Sequence, residues 1–344
     1  MTAVSSKELF FHFTRYSYAV IIYIMINPEG EKAMADITAI GEILIDLTQN
    51  GVNESGIPKY NANPGGAPAN LAVAASRLGA RTAFIGRVGA DAFGAYLRKV
   101  LEENGVDSSG LSVDKSEATT LAVVSIDEKG ERSFSFYRDP SADVSLSEDD
   151  VPAWLVEHTK LLHFGSVSLT AEPSRSATLY AVKRAKASGA IISYDPNYRA
   201  NLWPDEETAV NMMRSPLCLV DILKVSDNEL PLLTGTSDPV EGTRILSELG
   251  IRLIFVTLGP AGAFYRFGDI TGTSPTPSVK VADTNGAGDT FFGAALSRIA
   301  KLSDLTELTE DELKRIADFA NRAASITTSR RGAIPAMPVL SEME

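Results

Sequence analysis

The residues best equipped for chemistry lie between Asp283 and Phe292, in the run DTNGAGDTFF. Gly286 and Gly288 let the backbone turn tightly, so that successive N–H groups converge on one anion. The apolar stretch Phe291 to Ile299 reads as a helix, which places that N–H cluster, with Ala287 inside it, at the positive end of the helix dipole. Asp289 falls in the first turn. A carboxylate that can accept a hydroxyl proton, beside a cradle for negative charge, is the minimal equipment for phosphoryl transfer. The plainer reading is a helix cap in which Asp289 satisfies backbone donors. The run is no dinucleotide fingerprint, because G-A-G-D-T-F-F-G misses the G-x-G-x-x-G spacing. Nor is Gly89 to Tyr96, GADAFGAY, a Walker loop, since it has no Lys and no Ser or Thr after it.

Three other groups of residues stand out. Asp46 closes the run GEILID, and Gly65-Gly66-Ala67-Pro68-Ala69-Asn70 takes a diglycine turn into a helix with Pro68 near its first position. The diglycine exposes backbone N–H groups, and Asn70 offers both a donor and an acceptor. Asp46, Gly66 and Asn70 together suit the vicinal hydroxyls of a carbohydrate, although Asn70 alone is more often a polar helix-start residue. Lys224 to Glu229, KVSDNE, follows a strand and opens a helix. Glu229 suits a water of Mg²⁺, which keeps much of its hydration; the rival is a capping box between Ser226 and Glu229, and local sequence favours it. Thr257, Gly259 and Gly262 form a loop after the next strand that suits a nucleotide or a simple turn.

Elements in a set order must position these groups. From Asp36 onward, apolar strand-like runs alternate with amphipathic helical stretches, the pattern of a three-layer α/β/α fold on a mainly parallel sheet. Strands are expected at Ile37–Ile45, Arg81–Val88, Lys160–Val167, Ala190–Asp195, Asp221–Ser226 and Arg252–Leu258. Helical spacing marks Ala67–Leu78, Phe93–Glu103, Ser174–Ala187, Pro239–Leu249 and Asp311–Thr327. Thr119–Ile126 and Ser133–Tyr137 flank the turn Asp127-Glu128-Lys129-Gly130 and predict a β-hairpin. With about residues 47–63, segment 118–138 makes a small β-sheet, which reads equally as a lid over the carboxyl ends of the strands or as a plain surface hairpin.

Residues 1–33 break the pattern and read as an N-terminal extension, with the regular α/β pattern spanning 34–340. Their apolar run Tyr18 to Ile26 falls far short of the roughly 20 residues a bilayer span needs. The chain has 344 residues and a formal net charge of -12, which argues against nucleic acid or an anionic membrane as main partner. The single Cys218 excludes an internal disulfide and suits a reducing, cytoplasmic setting. His12, His158 and His163 have no metal-ligand spacing.

In this order the pieces resemble the ribokinase/PfkB family of carbohydrate kinases, over nearly all of Asp36 to Pro338. The likeness rests on GGAPANLAVAASRLGA at Gly65–Ala80, GRVGADAFG at Gly86–Gly94 and DTNGAGDTFFGAAL at Asp283–Leu296. It implies that Asp289 is the general base for a sugar hydroxyl attacking the γ-phosphate of ATP, and that the backbone from Asn285 to Gly288 is the anion hole. Asp46, Gly65, Gly66 and Asn70 would contact the sugar, with Arg138 closing over it from the tip of the lid. Lys224, Ser226, Glu229, Thr257, Gly259 and Gly262 would lie on the nucleotide side. Ser226 stands where the family has Asn, and Asn285 where Thr or Cys is commoner. The implied cofactors are ATP and Mg²⁺. In some members K⁺ binds between the region of Asp283 and a segment similar to Arg330–Pro335, although Ala336 replaces a frequent Ser. SFSFYRDPSAD, FGSVSL and DPNYRANLW resemble fructokinases in particular, which implies phosphorylation of D-fructose to fructose 6-phosphate. The alternatives are 2-keto-3-deoxygluconate, ribose or nucleoside kinases, or a kinase-like scaffold without turnover. Family members often pair through the lid, so a homodimer is expected.

Overall fold

Strands form where short apolar runs can be buried from both faces, and helices where apolar residues recur every three or four positions. The computed structural model describes residues 35–126 and 132–343, and places these elements in two sheets with flanking helices. The extension 1–33 and the turn Asp127–Gly130 lie outside the described residues. The large sheet has nine strands in the order β13-β12-β11-β10-β9-β8-β1-β4-β5. Its centre is β1 (Ile37–Ile40), flanked by β4 (Thr82–Gly89) and β8 (Leu161–Gly165). Beyond β4 lies β5 (Val106–Asp114); beyond β8 come β9 (Ile191–Asp195), β10 (Ile222–Ser226) and β11 (Leu253–Thr257), all parallel. The antiparallel strands β12 (Ala263–Phe267) and β13 (Ile270–Ser274) complete one edge.

Side chains alternate across this sheet with a period of two. Ile192, Tyr194, Leu223, Val225, Ile254 and Val256 pack in one cluster with helices Ser174–Ala187, Glu206–Arg214 and Pro239–Ser247. Ile222, Leu253 and Phe255 face the other way, against helices Ala67–Arg77, Ala287–Ile299 and Glu310–Thr328. The result is the expected α/β/α sandwich. Connections run out in opposite directions from β1 and β8, so a crevice opens at the carboxyl ends of the parallel strands. Asp195, Ser226 and Thr257 are the last residues of β9, β10 and β11 at that edge.

One expected strand divides. Ile37–Ile45 was read as continuous, but the chain leaves the large sheet at Gly41, whose φ is +149° and whose added Cβ would meet Pro68 Cγ at 2.7 Å. Leu44 then begins β2 (Leu44–Val52) of a second sheet. Asp46 is therefore not the end of the central strand; it sits in this small sheet. The order is β3-β2-β6-β7, with β3 (Pro58–Gly65), β6 (Leu121–Ile126) and β7 (Arg132–Tyr137). The β6–β7 hairpin pairs antiparallel as expected, while β2 and β6 pair parallel. Sequence patterning also passes over β5, β12, β13 and the Glu206–Arg214 helix. β5 and β13 are polar edge strands whose pairing, not their own composition, makes them strands, and β12 is a five-residue strand paired between β11 and β13.

The Ala67–Arg77 and Ala287–Ile299 helices cross closely, and that crossing carries the site. Gly293 lies at the crossing, where a Cβ would stand 2.7 Å from Leu71 O and 2.9 Å from Ala74 Cβ. Gly293→Val should force the helices apart and cost about 1–3 kcal/mol. The expected readout is a lower urea midpoint at unchanged m-value; an unaltered midpoint would refute this packing role.

Candidate active site

The Ala287–Ile299 helix begins at Gly286, which holds φ +73° and supplies no side-chain cap. Its first N–H groups are thus left for a ligand. Asp289, in the first turn, is 8% exposed and does not serve as the helix cap. Its Oδ2 accepts from Asn70 Nδ2 at 2.8 Å and its Oδ1 from Asn197 Nδ2 at 3.0 Å. Burial raises its pKa above the ordinary Asp value, while the Asn70 amide, the charges of Lys224 and Arg199, and the Asn197 amide pull it back. A buried carboxylate fixed by two donors is oriented for proton acceptance.

Asn70 reaches this place because Gly66, at φ +103°, turns the chain from β3 into the Ala67–Arg77 helix. A Cβ on Gly66 would lie 2.5 Å from Glu42 O, so a side chain has no room there. Glu42 Oε1 accepts from Ala67 N at 3.0 Å and supplies the cap that Gly66 lacks. Asn70 Oδ1 is buried and has no protein partner, an acceptor left over beside the carboxylate. Asn197 was not assigned a role from sequence, although the DPNYR segment contains it. It is the non-glycine residue with left-handed backbone among the described residues, at φ +48°, and its N–H donates to Asp195 Oδ1 at 3.2 Å. The signal was an Asp-Pro-Asn turn, and only the fold aims that turn at Asp289.

Asp46 faces the same centre from the small sheet. Burial raises its pKa to about 6, opposed by a hydrogen bond from the Asn285 side chain and by Arg199, and supported by the charge of Asp289. An added Cβ on Gly65 would stand 2.4 Å from Asp46 Oδ2, so Gly65 makes room for that carboxylate. Asn285 was expected to act through its backbone alone; its side chain also ties the anion loop to the small sheet.

Arg138 is not at the tip of the hairpin. It follows β7 at its base, is buried, and pairs with Asp143 Oδ2 at 2.7 Å. Its remaining contacts are to Thr170 Oγ1 at 2.7 Å and Val167 O at 3.1 Å. These anchor it to the main body, and a guanidinium so committed does not sweep over a ligand.

A cleft of about 740 Å³ opens beside the anion loop, lined by Ser226, Thr257, Gly259, Gly262, Ala287 and Gly288 among others. At its phosphate end Lys224 Nζ donates to Asp195 Oδ2 at 2.9 Å. Burial works against the ammonium, but Asp195, Glu229 and Asp289 outweigh it and raise its pKa. Nζ is 3.1 Å from where a Cβ of Gly288 would be, so it stands directly over the loop. Glu229 takes the capping-box form: Oε2 accepts from Ser226 N at 2.7 Å and Ser226 Oγ at 2.9 Å. Its Oε1 accepts from Tyr198 N at 2.7 Å. Burial alone would raise its pKa, yet Lys224 and these donors bring it below the ordinary Glu value. Among the described residues no group of three or more His, Cys, Asp or Glu gathers as a metal site. Asp283 accepts from Asn285 N at 2.9 Å and Gly332 N at 3.1 Å, joining the anion loop to the Arg330–Pro335 segment.

The Asp46 value sets a pH dependence. Its pKa of about 6 lies above the ordinary Asp value, so the carboxylate is an acceptor above pH 6 and loses that capacity as pH falls. Calorimetric titration with fructose should show Kd rising about tenfold from pH 7.5 to 5. Asp46→Asn should bind more weakly with a flatter profile; an undiminished slope in that variant would overturn the assignment.

Known carbohydrate kinases resemble this chain over most of its length. Residues 34–340 match the model of the pfkB family carbohydrate kinases. The chain is 43% identical over 326 residues to probable fructokinase-4 of Arabidopsis thaliana, covering 93% of this chain and 98% of that protein. Fructokinase-1 of Zea mays is 44% identical over 313 residues, covering 89% and 96%. Among solved structures, fructokinase from Xylella fastidiosa with bound ATP superposes with a TM-score of 0.83 at 32% identity, covering 90% of this chain and 97% of that one. Fructokinase from Vibrio cholerae O395, bound to fructose, ADP and calcium ion, gives 0.81 at 35% identity, covering 90% and 98%. The chain belongs to the pfkB family of carbohydrate kinases.

Proposed function

We propose that this kinase transfers the γ-phosphoryl group of ATP to the 6-hydroxyl of D-fructose. The observation that carries the reading is Asp289, clamped by Asn70 and Asn197 beside an open helix N-terminus. The sugar assignment rests on the fructokinases among its relatives and on the neutral character a ligand needs here. Asp46 and Asp289 are two carboxylates facing one pocket, and a substrate carrying its own carboxylate meets like-charge repulsion there. That disfavours 2-keto-3-deoxygluconate.

In this mechanism Asp46 and Asn70 Oδ1 accept sugar hydroxyls and set the ring. Asp289 takes the proton of the attacking hydroxyl as its oxygen bonds to the γ-phosphorus, and the bond from that phosphorus to the bridging oxygen breaks to release ADP. Lys224 and the amides of Gly286 to Gly288 stabilise the charge that spreads over the phosphoryl oxygens, while the Asn285 N–H is spent on Asp283 Oδ1. Mg²⁺, when bound, neutralises charge on the phosphates. Both oxygens of Glu229 already accept protein donors, so Glu229 would hold the ion through water. Asp283 and the Arg330–Pro335 segment are the place for a monovalent ion. The small sheet acts as a lid that excludes water from the transfer. A reducing cytoplasmic setting suits the exposed, unpaired Cys218, and among the described residues no helix is long and apolar enough to cross a membrane.

ADP release measured with fructose, ribose, adenosine and ketodeoxygluconate should show kcat/KM greatest for fructose; preference for another acceptor would overturn the substrate. Asp289→Asn should fold normally and lose at least about a hundredfold in kcat; near-wild-type turnover would remove the base.

Val52, Ile57, Tyr60 and Tyr137 expose apolar surface on or beside the small sheet, at 57%, 59%, 45% and 67%. Such a patch favours a homodimer through the lid. Sedimentation should give a dimer for the wild type and a monomer for Ile57→Asp/Tyr60→Asp; a monomeric wild type would refute the pairing.

A further inference from the structure

Arg77 ends the Ala67–Arg77 helix, far from Asn70 in its first turn, and the mechanism above gives it nothing to do. Its guanidinium is committed to two other parts of the chain. Nε donates to Asn104 Oδ1 at 2.7 Å, while Nη1 donates to Ile334 O and Met337 O, both at 2.8 Å. Asn104 follows the Ala92–Glu103 helix and is itself held in place. Its Nδ2 donates to Val100 O at 2.7 Å, and its carbonyl accepts from Ser76 Oγ at 2.7 Å. The arginine is thus braced on one side and grips a backbone turn on the other. Burial lowers its pKa, Glu342 opposes this and Arg330 adds to it, and the guanidinium stays charged near neutral pH.

The gripped turn, Ile334–Ala336, lies behind the anion loop. Ala333, just before it, rests against Gly286: a Cβ on Gly286 would stand 2.8 Å from Ala333 Cβ and 3.1 Å from Ala333 Cα. Gly332 N donates to Asp283 Oδ2 at 3.1 Å, and Asp283 Oδ1 accepts from Asn285 N at 2.9 Å. The start of the loop is therefore seated on segment 332–337. Ile334 and Met337 share a buried cluster with Ala69, Ala72 and Val73 of the Ala67–Arg77 helix. Apolar packing holds those side chains in place but is non-directional, so it leaves the rotation of the turn free. Two charge-assisted hydrogen bonds, to carbonyls on either side of the turn, fix that rotation.

We propose that Arg77 is a positioning residue for phosphoryl transfer: it sets segment 332–337, which seats Gly286 where the N–H groups of Gly286 to Gly288 converge. The inference rests on the kinase reading above and adds a residue outside the pocket that governs the anion loop. A shift of about 1 Å in a group that stabilises the transition state can cost about a hundredfold in rate, even when its cause is remote. The sugar should feel the change far less, because Asn70 lies about 10 Å back along the helix.

Arg77→Met keeps the length of the side chain and removes its donors. It should lower kcat at least about tenfold, while the calorimetric Kd for fructose stays within about twofold of wild type. Arg77→Lys keeps the charge but cannot span Asn104 and both carbonyls, and should fall between the two. Ala333→Gly removes the methyl that meets Gly286 and should lower kcat by itself. Combined with either Arg77 variant, its loss should fall well short of multiplying, because both changes act on one contact. Wild-type kcat in a folded Arg77→Met or Arg77→Lys would overturn the proposal. So would losses that multiply in full, or a fructose Kd that rises in proportion to the loss of kcat. These outcomes leave the kinase reading intact, since it fails separately, through absence of fructose-dependent ADP release in wild type.

Discussion

The site depends on one constraint: a buried carboxylate must be held in one orientation. Asp289 meets it because two amides from distant parts of the chain donate to its two oxygens. Asn70 comes from the helix after the diglycine turn, and Asn197 from the loop after β9. The crossing of the Ala67–Arg77 and Ala287–Ile299 helices at Gly293 sets the distance between the first of these amides and the carboxylate. On the proposed reading, sugar pocket, proton acceptor and anion loop are one construction.

Charge is handled with similar economy. A protein with net charge -12 binds a polyphosphate, so attraction has to be local. The helix N-terminus supplies unpaired N–H groups, and one buried lysine supplies the positive charge. Asp195, Glu229 and Asp289 keep that lysine protonated despite its burial. The capping box of Ser226 and Glu229 is then no rival to a functional role. It fixes a carboxylate near Lys224 and orients Ser226 at the cleft wall.

Much of this was legible in the residues themselves. The strands β8 to β11 and the helices at Ala67, Ser174 and Pro239 lay close to where apolar periodicity put them, because burial from a packed face leaves a local imprint. The anion loop was legible for the same reason: glycines, helix start and carboxylate are adjacent in sequence. Asp46 was picked out but placed on the wrong element, since nothing within ITAIGEILIDL says that the chain changes sheets at Gly41. The proline that would clash with a side chain there is Pro68, far along the chain. Arg138 failed differently. Its position after a hairpin suggested reach, and its tie to Asp143, Thr170 and Val167 appears only in three dimensions.

The sequence by itself determined the layered α/β class, the order of its main elements, the anion loop and the family resemblance, because each is written in neighbouring residues. Tertiary structure alone decided that Asn197 clamps Asp289, that Asn285 reaches Asp46, and that Lys224 meets Asp195. Those contacts join residues separated by tens to hundreds of positions. Their distances are fixed by helix crossing and sheet pairing, quantities that no local pattern encodes.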